Sequence, residues 1–83
     1  MSKLLNIGFS NFVVPERVVA ILDPESNPIK RIVSSAKESG KVIDATFGRK
    51  TRSVIVTDVD HVVLSSLSAE TIEERYNEAK EEK

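Results

Sequence analysis

Arg17-Val18-Val19-Ala20-Ile21-Leu22, then Asp23-Pro24-Glu25-Ser26-Asn27-Pro28, then Ile29-Lys30-Arg31-Ile32-Val33-Ser34-Ser35-Ala36-Lys37-Glu38-Ser39-Gly40, is the stretch that decides the fold class of this chain. After Arg17 the first segment is an unbroken apolar run, the pattern of a strand buried on both faces. The second segment is a turn that leads into a helix. Asn27 is a good N-cap, and Pro28 suits the first helical position, where its missing N–H would be unpaired anyway. In the third segment Ile29, Ile32, Val33 and Ala36 fall at i, i+3, i+4 and i+7, so they share one face. Gly40 then provides a C′ residue, which predicts a helix from Pro28 to Ser39.

Working outward, Leu4 to Phe9 reads as a first strand with Leu5, Ile7 and Phe9 on one side, and Asn11 and Pro15 mark the connection after it. Downstream, Lys41 to Thr46, Ser53 to Thr57 and His61 to Ser65 read as three more strands. The last two form a hairpin around Asp58-Val59-Asp60. Ser68 caps a final helix, with Leu67 and Ile72 placed as a hydrophobic staple across the cap. Ala69, Ile72, Tyr76 and Ala79 give this helix a narrow stripe. The expected order is β-β-α-β-β-β-α, an α+β domain. It has one small, mostly antiparallel sheet, a central amphipathic helix and a C-terminal helix. A single domain is expected over 1–83, with a frayed acidic tail from about 76 to 83.

Composition bounds the function. The 83 residues include no cysteine, so no disulfide or thiolate metal site is available. The longest apolar run, Val18 to Leu22, is far too short to cross a bilayer, and no signal-peptide pattern opens the chain. A cytoplasmic protein without a membrane partner is expected. Net charge is −1, with nine Lys/Arg against seven Asp/Glu up to Leu64 and three against six beyond it. A mildly basic body therefore carries an acidic tail, and the sum hides a local basic patch.

That patch is Gly48-Arg49-Lys50-Thr51-Arg52. Three cations fall within four residues between two strands, after a glycine that lets the backbone turn. Arginine presents a planar fork suited to phosphate oxygens or a guanine edge, and lysine a point charge. A solvated hairpin tip is the bland alternative. The stretch is not a nucleotide-binding P-loop, because Arg49 separates Gly48 from Lys50 and no helix follows. Arg17 opens the most buried strand. It either joins the cationic surface or pairs with a carboxylate such as Glu16 or Glu25.

His61 stands beside Asp58 and Asp60, but no further Cys or His completes a metal set, so no metal or other cofactor is expected. Ser65, Ser66 and Ser68 lack a nucleophile elbow and a pocket, and no enzymatic activity or small-molecule ligand is expected. Four aromatic residues supply little stacking for single-stranded RNA.

The strings Asn6-Ile7-Gly8-Phe9, Ser26-Asn27-Pro28-Ile29-Lys30-Arg31, Ile43-Asp44-Ala45-Thr46-Phe47-Gly48-Arg49-Lys50-Thr51-Arg52, His61-Val62-Val63-Leu64-Ser65 and Glu70-Thr71 resemble the RemA-like family of extracellular matrix regulatory proteins. The resemblance covers about residues 4 to 75. It implies a DNA-binding transcriptional regulator of bacterial biofilm matrix genes that acts as a ring-like homo-oligomer on double-stranded DNA. It places the functional cations at Arg17 and at the Arg49–Lys50 pair, to which the basic stretch adds Arg52. Lys50 stands where the family usually has arginine, which keeps a phosphate contact and forgoes bidentate base recognition. The competing expectation is a self-assembling protein-interaction scaffold without DNA binding.

Overall fold

A computed structural model describes residues 3–80. Its elements are β1 (Leu5–Gly8), β2 (Asn11–Val13), a 3-10 turn at Pro15–Arg17, β3 (Val18–Leu22), α1 (Asn27–Glu38), β4 (Val42–Asp44), β5 (Ser53–Thr57), β6 (Val62–Ser65) and α2 (Ala69–Lys80). The fold is α+β with two helices, as the sequence pattern implies, but its strands form two small sheets rather than one. β1 and β2 make a hairpin, and the other four strands lie in the order β3-β5-β6-β4.

The additional strand is β2, in a segment read from sequence as a plain connection. Gly8, Phe9 and Ser10 all take positive φ (106°, 53° and 63°), which reverses the chain in a tight turn and brings Leu5 opposite Val13. Positive φ at both central residues, Phe9 and Ser10, is the hallmark of the hairpin turn that matches strand twist. The chain therefore turns before Phe9 can occupy the core position its alternation with Leu5 and Ile7 suggests, and Phe9 is 44% exposed.

In the larger sheet β3-β5-β6 is antiparallel and β4 runs parallel to β6. β3 and β4 therefore point the same way at opposite edges, which is why a helix must connect them. Alternation within the central strands divides the core into two layers. Val54, Val62 and Leu64 meet Ala36, Ile29 and Val33 of α1 on one face. Ile55 and Val63 meet Leu5 and Ile7 of the hairpin and Ile72 of α2 on the other. Two-sided burial of β5 and β6 thus matches their apolar runs. β3 does not match. It is an edge strand, and its pairing with β5 is irregular between Val18 and Ala20, leaving Val19 65% exposed. In α1 the stripe is also incomplete, because Ile32 stays 41% exposed.

The helix ends differ slightly from expectation. Ser26 is the N-cap of α1, one residue earlier than Asn27, with no side-chain cap hydrogen bond; Pro28 still lies in the first turn. At α2 the Ser68 hydroxyl accepts a hydrogen bond from the Thr71 N–H (3.2 Å), as a cap should. Leu67 and Ile72 pack in the same cluster, as a staple should. The helix is continuous to Lys80, past the expected onset of fraying near residue 76, with Ala79 buried and Lys80 Nζ 3.7 Å from Glu16. Residues 81–83 of the expected tail lie outside the described residues.

Candidate nucleic-acid interface

The basic loop is not a hairpin tip. β4 and β5 are not neighbours, because β6 lies between them. Residues 45–52 therefore cross the end of β6 to reach β5, and both ends of the crossing are tied to it. The Ala45 N–H donates to Leu64 O (2.9 Å) and the Arg52 N–H to Ser65 O (2.8 Å). Between these anchors Asp44 organises the chain. Its Oδ1 accepts from the Thr46 hydroxyl (2.6 Å) and from the Thr46 N–H (2.9 Å). The Thr46 hydroxyl, then its N–H, hold the Asp44 carboxyl below its usual value, with Lys37 adding a smaller pull.

Thr46 is buried and opens a turn in which Phe47 (φ 56°) and Gly48 (φ 80°) both adopt the left-handed region. The Arg49 N–H closes it on Thr46 O (3.0 Å). Gly48 accepts that conformation freely. Phe47 does not, at a cost of about 1–2 kcal/mol for a residue carrying a Cβ. The turn aims Arg49, Lys50 and Arg52 into solvent, where all three are exposed. Among the described residues none of the three is in an ion pair.

The β1–β2 hairpin meets this loop. The buried Ser65 hydroxyl donates to Ile7 O (2.8 Å) and accepts from the Leu67 N–H (3.0 Å), which fastens the hairpin to the end of β6. Gly8 lies against Leu67, so that a Cβ there would be 3.4 Å from its Cγ. The two turn aromatics then stack, with Phe9 and Phe47 ring centroids 5.2 Å apart and 29° between planes. The Arg49 guanidinium lies 5.6 Å from the Phe9 centroid, within cation–π range. Gly8, Phe9, Arg49, Lys50, Arg52 and Leu67 line one shallow, open concavity.

Arg17 is elsewhere. It precedes β3 and sits beside Asp58, at the far end of β5 from Arg52: the Asp58 N–H donates to Arg17 O (3.0 Å), and Arg17 Nε lies 2.9 Å from Asp58 Oδ2. The five residues of β5 lie between Arg52 and the Arg17–Asp58 pair, which puts the two cationic points about 20 Å apart. The expected carboxylate pairing of Arg17 is present, but with Asp58 rather than Glu16 or Glu25. No spacing in the sequence points to Asp58, which lies 41 positions away.

The basic loop is thus where its sequence pattern places it, and the aromatics beside it are a feature that the charge pattern does not reveal. The available signal was local: each ring sits next to a turn glycine, Phe9 after Gly8 and Phe47 before Gly48. No group of His, Cys, Asp and Glu fit to hold a metal occurs among the described residues. No helix of the described residues is long and apolar enough to cross a membrane.

Fold and surface together define a small α+β domain that presents a braced cationic loop. The chain belongs to the RemA-like family: the model for extracellular matrix regulatory protein A-like proteins matches residues 4–76. Among its relatives, a protein of Alkaliphilus metalliredigens is 59% identical over 75 residues, covering 90% of this chain and 81% of the relative. One of Nitratidesulfovibrio vulgaris is 54% identical over 76 residues, covering 92% and 86%. One of Fervidobacterium nodosum is 53% identical over 79 residues, covering 95% and 85%. Each bears the name "Putative regulatory protein", which describes regulation rather than catalysis.

Proposed function

We propose that this protein is a cytoplasmic DNA-binding transcriptional regulator that works as a multivalent homo-oligomer, without enzymatic activity. Arg49, Lys50 and Arg52 contact the backbone of double-stranded DNA, and Arg17 adds a second, separate contact. The observation that carries the reading is the basic loop itself: three exposed cations, none ion-paired among the described residues, on a turn braced by Asp44 and tied at both ends to β6. A braced cation loses less freedom on meeting a phosphate than one on a floppy tip. The family name supports control of matrix genes as the biological setting.

One protomer offers too few contacts for tight binding at physiological salt. Repetition of the patch in an assembly supplies the remainder through avidity. Both edges of the larger sheet favour such an assembly. Val19 on β3 is 65% exposed and Ile43 on β4 is 51% exposed. Both are edge strands, and an edge is where a strand of another copy can pair. Because the two edges differ, joining one to the other is a head-to-tail contact, and such contacts close into rings when the rotation allows.

A salt titration of duplex binding, on a sample whose assembled mass is known from light scattering, tests the reading. A slope of log K against log salt well above about 3 in magnitude requires several protomers, since each phosphate contact releases about 0.9 ion. Absence of binding at low salt by a properly assembled oligomer leaves the interaction scaffold as the better account. A monomeric mass at micromolar concentration removes the multivalent part.

A further inference from the structure

We infer that Phe47, backed by Phe9, is an apolar wedge that enters a base step of the bound duplex while Arg49, Lys50 and Arg52 hold the flanking phosphates. The inference rests on the DNA-binding reading and names a contact that the cations alone do not provide.

Phe47 is 80% exposed, more than any other large apolar residue among those described. It occupies the left-handed region at φ 56°, which a bulky side chain rarely takes. The partner it touches, Phe9, is also left-handed, at φ 53°, and also exposed. Two aromatics on two separate turns are thus held in disfavoured backbone conformations without being buried. Burial in the core does not explain either position. Strain retained at an exposed site points to use of that site.

The surroundings specify the partner. A stacked ring pair rimmed by three exposed cations, one of them lying over a ring, complements a polyanion whose interior offers flat apolar faces. A base step flanked by phosphates on both strands offers a flat apolar face and anionic oxygens together. Stacking on Phe9 stiffens Phe47 from behind, and the turn is closed by the Arg49 N–H on Thr46 O. A stiff ring can unstack a base step and kink the helix, as apolar wedges do in architectural DNA-binding proteins. Such a contact reads the deformability of the step rather than its hydrogen-bonding edge, which suits a loop carrying lysine at position 50.

The test uses the assembled protein and duplexes carrying 2-aminopurine at successive positions. On saturation, wild-type protein is expected to raise 2-aminopurine emission at one or a few positions, the signature of unstacking. Phe47→Asn removes the ring and keeps a residue that tolerates left-handed backbone, so it is expected to fold, which its unfolding midpoint checks. It is expected to lose the emission rise and bind about tenfold more weakly, with an unchanged salt slope because no cation is removed. Phe47→Tyr is expected to restore both. Wild-type binding without any emission rise, or Phe47→Asn behaving as wild type, overturns the wedge while leaving the DNA-binding reading in place. A changed assembly mass for Phe47→Asn also overturns it, by assigning the ring to contact between copies. Failure of wild-type protein to bind duplex at any salt removes the underlying reading instead.

Discussion

The two ends of the larger sheet carry cations in opposite circumstances. At one end Arg49, Lys50 and Arg52 stand on a crossing loop whose backbone is tied to β6, and none of the three is in an ion pair among the described residues, although Lys50 and Arg52 share a concavity with Asp23, Glu25 and Glu70. At the other, Arg17 holds Asp58 at 2.9 Å, with both side chains about half exposed. An exposed pair of this kind contributes little to stability, on the order of 0–1 kcal/mol. It also partly neutralises the arginine as seen by an approaching anion. The lesson is that the same residue type, singled out by the same sequence logic, is available to a ligand at one end and partly satisfied at the other.

Several variants break or sharpen that contrast. The largest effect is expected from Arg49→Ala combined with Lys50→Ala: assembly mass unchanged and duplex affinity down by about 100-fold or more, because two charge-assisted contacts per protomer are lost. Equal binding by this variant in a filter or anisotropy assay would equate the two ends of the sheet and refute the assignment.

Next comes the brace beneath the loop end. Ser65→Ala removes a buried hydroxyl that both donates to Ile7 O and accepts from the Leu67 N–H. A loss of about 1–3 kcal/mol is expected in denaturant unfolding. Its cross-strand neighbour Ser53 is equally buried but its hydroxyl has no hydrogen-bond partner among the described residues. Ser53→Ala is therefore expected to be neutral or mildly stabilising, since no hydrogen bond is lost and an unsatisfied group is removed. If both serines cost the same, hydrogen bonding is not what fastens the hairpin.

A smaller effect tests the far end. Asp58→Asn frees the Arg17 guanidinium from its carboxylate and should raise duplex affinity about two- to fivefold. Arg17→Ala should lower it less than the double loop variant does. The smallest effect is a pH dependence at Asp44. Its pKa is lowered in the folded protein, so its contribution is present above the ordinary carboxylate value of 3.8 and is lost as pH falls through the lower folded value. The Thr46 amide resonance should follow that protonation with a midpoint below 3.8. A midpoint above it would mean that Thr46 does not hold the carboxylate.

Much was legible from local signals. The alternation of Val54 with Ile55 and of Val62 and Leu64 with Val63 implied strands buried on two faces, and they are. The Ser68 cap and the Leu67–Ile72 staple lie within a few residues of one another, so sequence spacing alone defines them. The basic loop was visible as three cations after a glycine. What escaped was every relation across the chain. β2 is not legible because the three residues Asn11–Val13, two positions before Pro15, are too few to show a periodicity, and only pairing with β1 makes them a strand. Two-sided burial of β3 was expected from its composition. Edge position is a property of strand order, which composition does not encode.

By itself, then, the sequence determined the α+β class, the helix and strand periodicities, the family, and which stretch carries the free positive charge. These are properties of residues within a turn or two of one another, where backbone geometry dictates the spacing. Only the tertiary structure decided that β6 separates β4 from β5, so that the basic segment crosses a strand end rather than capping a hairpin. It alone seated Phe9 against Phe47 and Arg17 against Asp58. Those pairings depend on strand order and register, which arise from packing two apolar faces at once, and no spacing along the chain records that choice.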